Sequence, residues 1–180
     1  MDWIVSNPAL KKVYDKYGPP VFRRSSMLWG LEKFLKELQS AGHLAGVETC
    51  VEIGTHHGIT AILLAQFFPK VVSMDILHDT HKEDCAKIAG ANNITFLDLT
   101  DNKDKEGWLE KLKFQFAYMD GDHANDTDLD FKLLKKCGKI LMHEVWSMQP
   151  PVIELVSKLK ADGDTLIECD HDCLALWIRK

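Results

Sequence analysis

The sequence lacks any apolar run near the roughly 20 residues that span a bilayer, so no membrane-spanning segment is expected. It also lacks basic excess. Lys and Arg number 22 against 27 Asp and Glu, a formal net charge of -5, which argues against nucleic acid or an anionic membrane as partner. No two of the five cysteines (Cys50, Cys85, Cys137, Cys169 and Cys173) have CxxC spacing, so neither a zinc ribbon nor a redox motif is expected. Scattered and odd in number, they read as buried, reduced thiols of a cytoplasmic protein. The first residues carry charges early and no small-residue cleavage site, so a secretory signal is not expected. There is no internal repeat or low-complexity stretch. What remains is 180 residues, 46% hydrophobic and 27% charged, the composition of one ordinary globular domain.

Of six prolines, Pro8, Pro19 and Pro20 punctuate residues 1–24, which predicts irregular chain or short helices there. Ser25 or Ser26 caps a predicted helix to about Ser40, with Leu28, Leu31, Leu35 and Leu38 on one stripe. Residues 1–45 thus form an N-terminal helical segment, on the substrate side or as a homodimer contact, and residues 46–180 the main domain. There, short apolar runs alternate with helical patterns. Strands are predicted at Cys50–Ile53, Val71–Asp75, Ile94–Leu97, Phe116–Met119 and Lys139–Met142. Helices are predicted at Ile59–Phe68, Lys82–Ala89, Asp104–Leu112 and Asp126–Lys136, with Pro150 and Pro151 opening another to about Lys160. Thr165–Cys169 and Cys173–Ile178 are too close for a crossover helix and must pair antiparallel. The expected fold is α/β: a Rossmann-like, doubly wound, seven-stranded sheet, mostly parallel with an antiparallel C-terminal hairpin and helices on both faces. Trp3, Trp29, Trp108 and Trp177 read as core or interface.

The run VEIGTHHGIT follows the first strand and opens the first helix of the alternating region, where open α/β sheets bind ligands. Gly54 and Gly58 allow a sharp turn and a close approach. Asp75 ends the second strand 21 residues after Gly54, the usual spacing for an acid on a ribose diol. The loop lacks the middle glycine of a dinucleotide fingerprint, and Glu52 would repel a pyrophosphate. The same carboxylate suits a ligand bearing an ammonium and a sulfonium. A purely structural turn is the rival reading. His56 and His57 read as polar loop residues or, less simply, as metal donors. The HDTH run from His78 to His81 reads as a solvated loop or helix start.

With Asp98 in ITFLDLTD and the runs FAYMDGDH and ILMHEV, the chain from about residue 45 resembles the class I S-adenosylmethionine-dependent methyltransferases. Within them it is similar to small-molecule O-methyltransferases of the catechol and sugar types. The resemblance implies that Glu52, Gly54, Thr55, Gly58 and Thr60 line the methionine part of S-adenosylmethionine. It implies that Asp75, with Ile76 beside it, holds the ribose, and that Asp98 meets the adenine.

The same resemblance makes Asp120 both a cofactor-side catalytic residue and a metal ligand, completed by His143 and Glu144. Mg²⁺ is the expected ion, with Mn²⁺ or Fe²⁺ as competitors because histidine is the softer donor. Alternatively His143 faces inward. His123 falls at the family's general base, or it only orders a helix start. Asn125 or Asp126 reads as that helix's cap. Trp146 is either an aromatic wall for the acceptor or a packing residue. The implied activity is methyl transfer to a small-molecule hydroxyl acceptor, with metal assistance. The alternatives are a cofactor- or nucleoside-binding module without turnover, or a metal-independent methyltransferase for another acceptor. The MDGDH run departs from the Asn/Asp-Pro-Pro-aromatic signature of base-modifying methyltransferases.

Overall fold

The computed structural model describes residues 6–22, 28–121, 125–145, 149–169 and 173–179. Helix α1 (Pro8–Tyr17) starts at the Asn7 cap, whose Oδ1 accepts the Leu10 N–H at 3.3 Å. A 3-10 turn (Pro19–Phe22) and α2 (Leu28–Ser40) follow. The alternating region comprises β1 (Thr49–Ile53), α3 (Ile59–Leu64), β2 (Lys70–Asp75), α4 (Lys82–Ala89), β3 (Ile94–Asp98) and α5 (Asn102–Lys111). It continues through β4 (Phe116–Met119), α6 (Thr127–Leu134), β5 (Lys139–Met142), α7 (Pro150–Ala161), β6 (Thr165–Cys169) and β7 (Leu174–Ile178).

The strands form one seven-stranded sheet in the order β3-β2-β1-β4-β5-β7-β6. All neighbours are parallel except β7, which pairs antiparallel with both β5 and β6. Strand alternation splits the core in two. Cys50, Val71, Phe116, Tyr118 and Leu141 face a cluster that includes Leu10, Leu31, Leu35 and the α3 residues Ile62 to Leu64. Val51, Val72, Ala117, Met119 and Ile140 face the other, with Leu109, Leu134, Val152 and Val156. The N-terminal helices therefore share a core with the sheet. The outer strand β3 is half-buried or exposed along its length, as an edge requires.

The structure corrects some expectations and narrows others. The helix after the glycine loop stops at Leu64, short of Phe68, because the chain turns through residues 65–67. Phe68 still belongs to the core, its ring 4.9 Å from that of Phe116. Trp29 and Trp108 are 50% and 40% exposed, which leaves them the interface half of the expectation, while Trp177 is core. Asp126 sits at the N-cap position of α6 but makes no capping bond. Its carboxylate instead accepts the Asn102 amide at 2.9 Å. All five cysteines are free, with Cys137 and Cys173 only half-buried.

Candidate functional site

The sheet order reverses between β1 and β4, because β2 and β3 extend from one side of β1 and β5 from the other side of β4. That is the switch point where open α/β sheets take their ligands. The ladder runs past the strands: Gly54 N–H donates to Met74 O at 3.0 Å, Asp120 N–H to Ile53 O at 3.0 Å and His143 N–H to Met119 O at 3.2 Å. Three neighbouring strand ends are thus held side by side. Gly54 is obligatory there. Its φ is +99°, and a Cβ would lie 2.7 Å from the carbonyl carbon of Asp120, closer still to its oxygen.

Above these ends opens a cavity of about 680 Å³, within the size range of small-molecule sites. Of the residues expected at a cofactor, Gly54, Thr55, Thr60, Asp75, Ile76 and Asp120 line it. His143 and Glu144 line it too. Asp75 is set by two backbone donors, His56 N–H to Oδ2 at 2.8 Å and Leu77 N–H to Oδ1 at 2.9 Å. Each oxygen keeps a lone pair for a further donor, as a diol requires. Ile76 and Leu77 beside it are 45% and 58% exposed, an apolar surface at the cavity mouth.

Glu52, Gly58 and Asp98 do not line the cavity. Glu52 is fully buried behind the loop. Its Oε2 accepts from Ser73 Oγ, which lies 2.6 Å from Thr55 Oγ1, so the carboxyl anchors the loop from behind. Burial pushes the Glu52 carboxyl well above the ordinary range, and the charges of Asp120 and Asp75 add to the shift, against the Ser73 bond. Burial thus favours its neutral form over a charge offered to a ligand. Gly58 precedes α3, its φ +75° and its α-carbon packed near Lys82 and Phe96. Asp98 is bound by the buried Lys82 ammonium, which holds its carboxyl below the usual range.

Asp120 and His143 pair directly, Oδ1 to Nδ1 at 2.6 Å. The Tyr118 hydroxyl lies 3.4 Å from the other Asp120 oxygen, and burial followed by the Asp120 charge pushes that phenol well up. Glu144 turns out of β5 with φ +61°, a left-handed conformation costing a non-glycine residue about 1–2 kcal/mol. His123 and Trp146 lie outside the described residues, as do Trp3 and the predicted cap Ser25 or Ser26.

The donors expected to cage a metal do not fit one. Asp120, His143 and Glu144 do not bring one donor atom each within 4.8 Å of one another. Among the described residues, the one set of three His, Cys, Asp or Glu donors within 4.8 Å of one another is His57, Asp79 and His81.

Sequence reasoning missed several lining residues: Leu77, Leu99, Lys105, Asp126 and Gln149. Lys105 is 3% exposed, its ammonium 3.6 Å from Asp126 and paired also with Asp130. A lysine inside the polar run NKDKEGWLEK carries no signal of burial.

No protein-family model matches the sequence, and no curated protein matches it. Solved structures do. One is the O-methyltransferase from Bacillus cereus in complex with SAH (TM-score 0.65, 18% identity, 98% of this chain and 100% of that one). Another is the O-methyltransferase TomG from Streptomyces achromogenes, involved in tomaymycin synthesis and complexed with SAM (TM-score 0.70, 16% identity, 96% and 89%). A third, from Klebsiella pneumoniae, is provisionally assigned as an O-methyltransferase (TM-score 0.70, 17% identity, 99% and 95%). The chain has the class I methyltransferase fold. The match runs nearly end to end, so α1 and α2 belong to the shared architecture. Among the described residues no helix of this fold is long and apolar enough to cross a membrane.

Proposed function

We propose that the protein is an S-adenosylmethionine-dependent O-methyltransferase acting on a small hydroxylated molecule. The observation that carries this reading is the cavity at the β1–β4 switch point, with Asp75 fixed at its wall and Gly54 against the end of β4. The donor set suits the cofactor: a carboxylate for a ribose diol, exposed Ile76 and Leu77 for an adenine face, and small loop residues Gly54, Thr55 and Thr60 for the methionine arm. Bound there, S-adenosylmethionine supplies an electrophilic methyl group on a sulfonium.

The chain's own part is alignment and proton handling. The Asp120–His143 pair in the cavity wall orients the acceptor, and the proton of its hydroxyl is assigned to His123, the residue that the resemblance puts at the base, where neutral imidazole serves near pH 7. The expected cation at Asp120, His143 and Glu144 has no step in this scheme, because the three side chains do not bring their donor atoms within 4.8 Å of one another. Cytoplasmic residence fits the five free thiols.

Calorimetric titration with S-adenosylhomocysteine tests the cofactor. Micromolar binding is expected, weakened about 10–100-fold in Asp75→Ala, the loss of hydrogen bonds to a charged group. Methyl transfer from S-adenosylmethionine to a panel of diols and catechols is then expected to survive EDTA. No binding would end the methyltransferase reading. Binding without transfer to any hydroxyl would leave a cofactor-binding module without turnover.

A further inference from the structure

Two loops bring a second set of ligand-type side chains together at the rim of the same cavity. His57 comes from the glycine loop and lines the cavity. Asp79 and His81 come from the β2–α4 connection, expected from sequence to be a solvated loop or helix start. One donor atom from each lies within 4.8 Å of the other two. Both imidazoles turn Nδ1 toward Asp79, one against each carboxylate oxygen: His57 at Oδ2, and His81 at Oδ1 at 3.2 Å. The carboxylate cannot swing away freely, because the His81 backbone N–H also donates to Oδ1 at 2.7 Å. The rings are packed as well. His56 stands edge-on to His57 with centroids 3.8 Å apart, and Tyr17 edge-on to His81 at 5.4 Å. Asp79 and His57 are mostly covered, at 15% and 23% side-chain exposure, while His81 is 51% exposed and leaves a way in from solvent.

We infer that His57, Asp79 and His81 form a binding site for a divalent cation of the zinc class, separate from the Asp120–His143 pair. Two imidazoles and one carboxylate are the donors of zinc and its late first-row neighbours; Mg²⁺ and Ca²⁺ prefer all-oxygen shells. Three protein donors leave a fourth tetrahedral position for water or a ligand atom. An ion here replaces the two histidine–carboxylate contacts and ties together the two loops that wall the cavity, since Ile76 and Leu77 lie between Asp75 and Asp79.

The test titrates the full chain, stripped of metal by chelation, with Co²⁺ followed by its visible absorption, then displaces Co²⁺ with Zn²⁺. One equivalent with the spectrum of a four-coordinate ion is expected. His57→Ala and the more exposed His81→Ala should each weaken binding by more than about tenfold, the loss that even an outer-sphere partner causes. His78→Ala, at a neighbouring and more exposed imidazole, and Asp120→Asn should bind as the parent does. Circular dichroism of each variant separates lost binding from lost fold. Absence of a stoichiometric ion, retention of binding in the His57/His81 double variant, or its loss in Asp120→Asn would each overturn the site. S-adenosylhomocysteine titration of the metal-free protein reads the methyltransferase proposal independently.

Discussion

Gly54 sits where the sheet leaves least room, with the chain of Asp120 directly across from its α-carbon. Any side chain must push β4's end and the loop apart, at a φ that disfavours L residues. Gly54→Ala is expected to cost about 1–3 kcal/mol of stability and to abolish micromolar S-adenosylhomocysteine binding. Urea melts and calorimetry on the variant check it, and parental values for both would show that the loop tolerates the methyl. Glu52 is the second residue with a sharp consequence. Its carboxyl titrates well above the ordinary range in the folded chain, whereas the unfolded chain releases that proton near pH 4.3. The folded state therefore holds the extra proton above about pH 4.3, and stability falls as pH rises from there through the folded value. Glu52→Gln cannot ionise and escapes that loss. Its stability relative to the parent should rise from pH 4.5 to pH 7.5 in denaturant melts. A difference constant with pH would mean that burial does not raise the Glu52 carboxyl.

Among elements, those that announce themselves in sequence are bounded by abrupt changes of pattern. β4 and β5 fall at Phe116–Met119 and Lys139–Met142, as expected, because the apolar runs FAYM and ILM end against polar DGDH and HE. The terminal hairpin was legible from the short gap between two strand-like runs. The helix after the glycine loop was overextended because Phe68 keeps its place in the core after the backbone has turned, so hydrophobicity outlasts helicity. The candidate site was half legible for a related reason. Gly54, Asp75 and Asp120 stand at strand ends, and strand ends can be read. Lys105, and the meeting of His57 with Asp79 and His81, depend on how separate elements pack, which no local pattern encodes. The attachment of α1 is another such packing event. Asn7 is 4% exposed, caps Leu10 N–H and reaches Gln66 Oε1 beyond α3 at 3.3 Å. Asn7→Ala should cost about 1–2 kcal/mol, the range of a lost N-cap, read from the shift in urea midpoint. A shift below a few tenths of that would show the cap to be dispensable.

At the scale of the whole molecule, the cavity lies over the seam where the two halves of the sheet meet, and its wall draws on both core layers. Thr60 follows the first residue of α3, whose helix belongs to one layer, while Leu99 and Met74 belong to the other. A ligand seated there contacts groups that only the complete fold brings together, so it binds the native state and not the unfolded chain. S-adenosylhomocysteine at a hundredfold excess over its dissociation constant then adds about 2.7 kcal/mol. For a chain of this size that corresponds to a rise in melting temperature of roughly 5–10 °C. A nicotinamide dinucleotide at the same concentration should give no comparable rise, because the loop lacks the middle glycine on which a pyrophosphate depends and presents Thr55 and His56 instead. Differential scanning of the full chain with each ligand separates the two. A larger rise with the dinucleotide would make the cavity a dinucleotide site and strip Asp120 and His143 of any part in methyl transfer.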